Sequence, residues 1–234
     1  MKKISLFLAS ILLICSANAQ DSSENSFTIQ TIINDWNQHH LNFDGVEQMV
    51  ILYRENFQDI KLAGVERNNN KWQVQLNAVR ASIGRNGLID PSHKVEGDGC
   101  TPTGMYALGQ LFSYEANIAT RIPFIQTSSE DKWVDDVNSP QYNQYVHGTT
   151  TAKSFENLLL KSVHYKYCMV IEYNTQPIVK GKGSAIFFHV ADEKYSATAG
   201  CVAIAEKDML QYLQWLDPKK KTAIFIFADD EEDD

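Results

Sequence analysis

The chain has 234 residues, is 44% hydrophobic and carries a formal net charge of −8. That acidity argues against nucleic acid and anionic membrane surfaces as partners, and the length suits one large domain or one domain with a small attachment. The histidines are scattered apart from His39-His40 and no CxxC pair occurs, so no metal site is expected.

Lys2 and Lys3, an apolar run over 4–14 and Ala17-Asn18-Ala19 are the three parts of a secretory signal, with cleavage expected after Ala19. The run is shorter than the about 20 residues of a membrane span, and no later segment comes close. Cys15 follows Ile14, a poor setting for lipidation. The signal peptide (1–19) takes two lysines and no acid with it, so the net charge moves from −8 to −10. The mature protein is expected in the periplasm or secreted.

Residues 20–45 form an N-terminal segment with a loose start and an amphipathic helix over 29–40 through Ile29, Ile32, Ile33 and Trp36. His39 and His40 point apart on such a helix and read as an exposed pair. Strand signals follow: 50–53, then Trp72, Val74 and Leu76 at alternate positions, with Asn68-Asn69-Asn70 as the turn. Gly84-Arg85-Asn86-Gly87 and Gly97-Asp98-Gly99 bracket a loop, and Thr101-Pro102-Thr103-Gly104 leads into a strand over 105–108. Phe155, Leu158 and Leu159 have helical spacing over 154–162, while 168–173 and 185–189 read as strands. Met209, Leu210, Leu213 and Leu216 mark a helix that Asp217-Pro218 ends, before a last strand over 223–227. The six acids of 229–234 read as a solvated tail. There is no internal repeat. These signals predict a mainly β fold with flanking helices.

Export leaves Cys100, Cys168 and Cys201, an odd number, so at least one thiol stays free or bridges two molecules. A Cys100–Cys168 disulfide would leave Cys201 reduced, and spacing alone does not decide it. Twelve residues separate Cys201 from His189 at the end of an apolar strand, enough for a loop to bring imidazole and thiol together. A neighbouring imidazolium stabilises a thiolate and can later protonate a leaving amine. Gly200 lets backbone approach a substrate, and the amides of Gly200 and Cys201 are candidates to hold an oxyanion. Small neighbours at Ala199, Gly200 and Ala203 make Cys201 the thiol expected to react first. By residue type alone, a buried cysteine and a satisfied strand-end histidine are the commoner reading.

Order along the chain reverses that balance. GRNG at 84–87, EGDGCTPTG at 96–104, WVDDVNSPQYN at 133–143, KGKGSAIFFHV at 180–190 and TAGCVAIAEKDMLQYLQWLDP at 198–218 together resemble the YkuD family of L,D-transpeptidase catalytic domains. They resemble its branch with HV and TAGCVA, and the likeness covers residues 46–228. The resemblance implies a β-sandwich in which Cys201 is the nucleophile and His189 assists it. It implies cleavage of the L,D bond between a diamino acid and a terminal D-amino acid of a peptidoglycan stem peptide, a thioester intermediate, transfer to an amine, and no cofactor.

The chain departs from the commoner family pattern at Ala203, where many members have arginine, and at Val190, where they have glycine. The acceptor therefore stays open: a stem amine gives a cross-link, water gives an L,D-carboxypeptidase or related cysteine hydrolase, and a protein lysine gives an anchor. A silent domain that only binds cell-wall peptide is the reading outside enzymes. Oligomeric state is unknown. Among weaker candidates, Thr198, grouped with Gly200 for oxyanion or substrate binding, can orient the loop by a side-chain hydrogen bond or simply prefer the extended turn there. Arg85 and Tyr106 can meet a carboxylate, though surface and core roles are commoner. Asp135 and Asp136 read as turn formers, and His93, His147 and His164 as surface or structural.

Overall fold

A computed structural model describes residues 29–34, 38, 43, 45–56, 59–69 and 71–227. The expected signal peptide and acidic tail lie outside those residues, as do Trp36, His39, His40 and Asn70. The chain divides into two compact units, Met1–Asp44 and Gly45–Asp234. In the first, residues 29–34 are helical.

In the second unit, the run from Met49 to Tyr53 contains no charged residue, and it forms the centre of β1 (Gln48–Asn56), with all five side chains at 0% exposure. A continuous apolar run suits a strand covered on both faces. β2 (Asp59–Asn68) pairs with it antiparallel and β14 (Thr222–Ile226) parallel. The chain turns at Asn69, φ +50°, into β3 (Lys71–Ser82). Lys71, Gln73, Gln75 and Asn77 are exposed there and Trp72, Val74 and Leu76 half-buried, the alternation of a strand with one wet face.

Two strands serve both sheets. β6 (Gly104–Ser113) pairs through its first half with β14 and through its second with β11 (Tyr167–Ile171). β3 pairs mostly with β2 but gives its last two residues to β13 (Val202–Ile204). With β12 (Phe187–Val190) between β11 and β13, the pairing closes on itself. The result is a sandwich whose corners are β3 and β6. β7 (Phe124–Gln126) extends the edge beside β6, and β4 (Leu88–Ile89) and β5 (Thr101–Pro102) form a two-residue ladder. A separate sheet has the order β10 (Phe155–Asn157), β8 (Asp131–Val134), β9 (Gln144–His147).

Between β13 and β14 runs α1 (Glu206–Trp215), which buries Met209, Tyr212 and Leu213 in the larger core. Its last carbonyls have no partner within the helix. Buried Gln48 meets this need, donating from Nε2 to the Trp215 carbonyl (3.1 Å) and accepting the Asp217 N–H on Oε1 (2.8 Å). The domain is mainly β, as the sequence predicts.

One expectation fails: 154–162 is not helical. Phe155, Glu156 and Asn157 pair with Val134, Trp133 and Lys132 of β8, and the Leu158 N–H donates to the Asp131 carbonyl. So short an apolar spacing fits a strand and bend equally well, and the open edge of β8 supplies partners that a lone helical turn lacks. The bridge between Cys100 and Cys168 is also absent, and all three described cysteines are free. Cys100 Sγ donates within its own loop, to the Asn86 and Asp98 carbonyls, while Cys168 sits on β11 in a core.

Asp131, 2% exposed, ties the small sheet together. It accepts hydrogen bonds from Tyr145 Oη (2.6 Å), His147 Nδ1 (2.8 Å) and the N–H and hydroxyl of Ser128 (2.6 and 2.8 Å). Burial works to raise its pKa, but these bonds outweigh it and hold the carboxyl at about 2. A folded pKa below the unfolded value of about 4 stabilises the fold above that value, and the contribution is lost as pH falls toward 2. Asp131→Asn is expected to lower the melting midpoint at neutral pH by about 3 to 10 °C. It should also make the melting temperature less sensitive to pH between about 4 and about 2. Thermal melts across that range check both, and identical curves for the two proteins would remove this role.

Candidate active site

The period of two along β12 sorts its side chains between two cores. Phe188 and Val190 enter the larger one, while Phe187 enters a second with Trp133, Tyr165, Cys168 and Cys201. His189 therefore shares the face of Phe187. β11 sets Cys168 opposite His189, and parallel β13 sets Ala203 opposite it on the other side. Cys201, one residue before β13, falls level with Phe187. The Phe187 N–H donates to Sγ at 3.4 Å, and Sγ donates to the Ala185 carbonyl at 3.3 Å.

Three sequence motifs meet behind this thiol. Buried Thr101 accepts the Gly84 N–H on Oγ1 (2.8 Å) and donates the same hydroxyl to the Gly200 carbonyl (2.8 Å). Thr198 donates to the Cys201 carbonyl (2.6 Å) and accepts the Gly200 N–H (3.1 Å). Gly200 has φ +147°, and a Cβ there would lie 2.9 Å from the Cys100 carbonyl oxygen and 3.0 Å from Ile186 Cδ1. Only glycine fits this approach. Thr198 thus orients the loop. The Gly200 amide, read from sequence as an oxyanion donor, is engaged with Thr198 Oγ1. Thr101 was not singled out by the sequence, because its role depends on contacts between distant segments.

His189, 5% exposed, holds Nδ1 2.8 Å from the Val190 carbonyl. A carbonyl only accepts, so Nδ1 carries the proton and Nε2 keeps the lone pair a base needs. Burial pushes the His189 pKa down to about 4, against the pull of the Val190 carbonyl. Burial likewise pushes Cys201 up to about 12, and the Phe187 N–H opposes it only in part. No hydrogen bond joins the two side chains. At neutral pH the resting pair is a thiol and a neutral imidazole, unlike the thiolate–imidazolium pair expected from residue type.

Both side chains line one cavity of about 370 Å³, with Thr198, Ala203, Arg85, Lys94, Asp135, Glu156 and His164 also on its walls. The sequence did not point to Lys94, Asp135, Glu156 or His164 as part of the site. His164 stacks edge-on to His189, ring centroids 6.0 Å apart, and its carbonyl accepts the Val190 N–H. Asp136 is a turn former, accepting the Asn138 and Lys153 N–H groups, but Asp135 faces the cavity. Glu156 reaches it from β10, the segment read as helical. Tyr106 instead donates to the Thr103 carbonyl and packs edge-on against Tyr173.

Residues 61–226, running from β2 through β14, match YkuD, the L,D-transpeptidase catalytic domain. The chain belongs to the YkuD family. Among curated proteins none matches it. Among solved structures, the crystal structure of the helical cell shape determining protein Pgp2 from Campylobacter jejuni is similar, at 16% identity and a TM-score of 0.47. That alignment covers 81% of this chain, and the chain spans 50% of the other.

In this YkuD domain the resting thiol is protonated, which gives a direct test by alkylation. With a thiol pKa near 12, the thiolate fraction rises about tenfold per pH unit, so the log of the Cys201 alkylation rate is expected to climb steadily from about pH 7 to about pH 10. Cys168, at 0% exposure, should lag behind. Peptide mapping after timed alkylation reads both. A rate plateau between about pH 6 and about pH 8 would show a preformed thiolate instead.

Proposed function

We propose that this YkuD domain is an exported L,D-transpeptidase acting on peptidoglycan stem peptides, through a Cys201 thioester with His189 as general base and then acid. The observation that carries this reading is the shared cavity: a free thiol one residue ahead of β13 and, on neighbouring β12, an imidazole of fixed tautomer, both on its walls. Export rests on Lys2, Lys3, the apolar run and Ala17-Asn18-Ala19, and it places the protein in the periplasm or outside the cell. No cofactor enters the chemistry.

The steps balance within the two side chains. His189 Nε2 takes the thiol proton as Sγ attacks the carbonyl carbon on the acyl side of the scissile bond. In this scheme the amide of Cys201 holds the oxyanion, and that of Gly200 joins by releasing Thr198 Oγ1. The C–N bond breaks, the imidazolium protonates the departing amine of the D-amino acid, and the acyl group remains as a thioester. An acceptor amine then attacks the thioester carbonyl carbon, its proton passes to His189, the C–S bond breaks, and the imidazolium returns the proton to Sγ, restoring the thiol. Burial makes the thiolate–imidazolium pair unfavourable at rest, so proton transfer accompanies attack.

Purified protein incubated with muropeptides is expected to give cross-linked dimers by mass spectrometry. Trimmed tripeptides alone would make water the acceptor and the protein an L,D-carboxypeptidase. No product at all would leave a peptide-binding domain. Cys201→Ala should abolish turnover with the fold intact, since it removes the nucleophile and little volume. His189→Ala should slow acylation by about 100- to 10,000-fold. Stopped-flow acylation rates check these, and turnover surviving in Cys201→Ala would overturn the mechanism.

A further inference from the structure

The charged groups around the cavity can be sorted by whether the fold already uses them. Lys94 is 2% exposed and holds Asp98 at 2.6 Å. Glu96 accepts from the Tyr142 hydroxyl and from Ser184 Oγ (2.7 Å). Asp192 accepts the Lys194 and Ser196 N–H groups. Three charges are left over: Arg85, Asp135 and Glu156.

Arg85 has its backbone fixed by an N–H donated to the Thr198 carbonyl (2.9 Å), so it belongs to the same knot as Cys201. Its guanidinium lies over Gly99, where a Cβ would come within 2.8 Å of Cζ. Among the described residues it makes no ion pair and no side-chain hydrogen bond. On another wall, from the small sheet, Asp135 Oδ1 is buried with no hydrogen-bond partner. Glu156, two residues along the β10–β8 ladder, has only a long contact from Tyr165 Oη (3.5 Å). Burial and then the Asp135 charge raise the Glu156 pKa, the mark of two carboxylates with no cation between them.

We propose that the cavity selects a peptide by two charges, a free C-terminal carboxylate held by Arg85 and a free side-chain ammonium held between Asp135 and Glu156. This deepens the reading of the site as an acyl-transfer centre and rests on it. Arg85, on the loop joined to the thiol, would bind the carboxylate of the leaving D-amino acid, which restricts cleavage to the last residue of a stem. The acidic wall would bind the amine of the diamino acid on the acyl side. A guanidinium suits a carboxylate through paired N–H donors, and an ammonium relieves the repulsion between the two acids.

Binding to the Cys201→Ala protein tests this apart from catalysis. Calorimetry would use one tetrapeptide ending in a diamino acid and D-alanine, with the side-chain amine free or acetylated and the C-terminus free or amidated. The unblocked peptide should bind tightest, and each block should weaken binding roughly 10- to 100-fold. Adding Arg85→Gln should erase the effect of amidation alone. Adding Asp135→Asn with Glu156→Gln should erase the effect of acetylation alone, without lowering the melting midpoint, since it relieves repulsion. Equal binding of all four peptides, binding of none, or penalties that survive the substitutions would overturn the proposal. Selective binding by the wild-type chain with no thioester adduct in its intact mass would keep the charge selection and sink the acyl-transfer reading.

Discussion

The alternation of side chains along β12 is the constraint on which the site depends. Four residues, Phe187 to Val190, must supply two large apolar groups to the main core, and burial of Phe188 and Val190 leaves no choice about where the others point. A slip of one residue would bury the imidazole in the main core and turn Phe188 into the cavity. Burial of each large side chain is worth about 1.5 to 3 kcal/mol, so packing firmly fixes which face His189 shares with Phe187. Parallel pairing with β13 then carries that register across to Cys201, through the level contact between its sulfur and the Phe187 amide.

Strand register alone does not aim the thiol, because Cys201 lies just outside β13. A buried hydroxyl completes the job. Thr101 links the Gly84 amide to the Gly200 carbonyl, so the loops of three separate motifs are held by one oxygen. Both of those backbone groups would be buried without a partner if the hydroxyl were lost, at a cost of about 1 to 3 kcal/mol each. The bend at Gly200 and the approach of the Cys100 carbonyl make sense as parts of this closure, since the loop can come that near only without a side chain.

How much of this could be read in advance follows from the range of each interaction. β1, β3 and α1 have long, regular patterns, and their sequences carry them: a five-residue apolar run, a clean alternation, and the stripe of Met209, Leu213 and Leu216. The pair Cys201 and His189 was legible through ordered motifs around them. The stretch 154–162 was not, because three apolar residues in a short window do not separate a helix from a strand that finds an edge. Glu156 went unseen with it, and Asp135 looked like its neighbour Asp136 until the fold pointed one into a turn and the other into the cavity. Thr101 and His164 act through residues distant in sequence, and no local pattern marks such partners.

Ala203 joins these observations. The β12–β13 register sets it directly opposite His189, the position at which the commoner family pattern has an arginine. A guanidinium there would sit beside Cys201 and His189, favouring the thiolate and disfavouring the imidazolium. With alanine in its place the wall is small and apolar, and the cation that does pull on the Cys201 thiol, Lys94, is already paired with Asp98. In the proposed mechanism, activation of the thiol is left to proton transfer onto His189, whose Nδ1 is committed to the Val190 carbonyl and whose Nε2 is the remaining basic atom. Two tasks therefore fall to different residues in that mechanism: His189 moves the proton, and positive charge for the substrate comes from a different loop, that of Arg85.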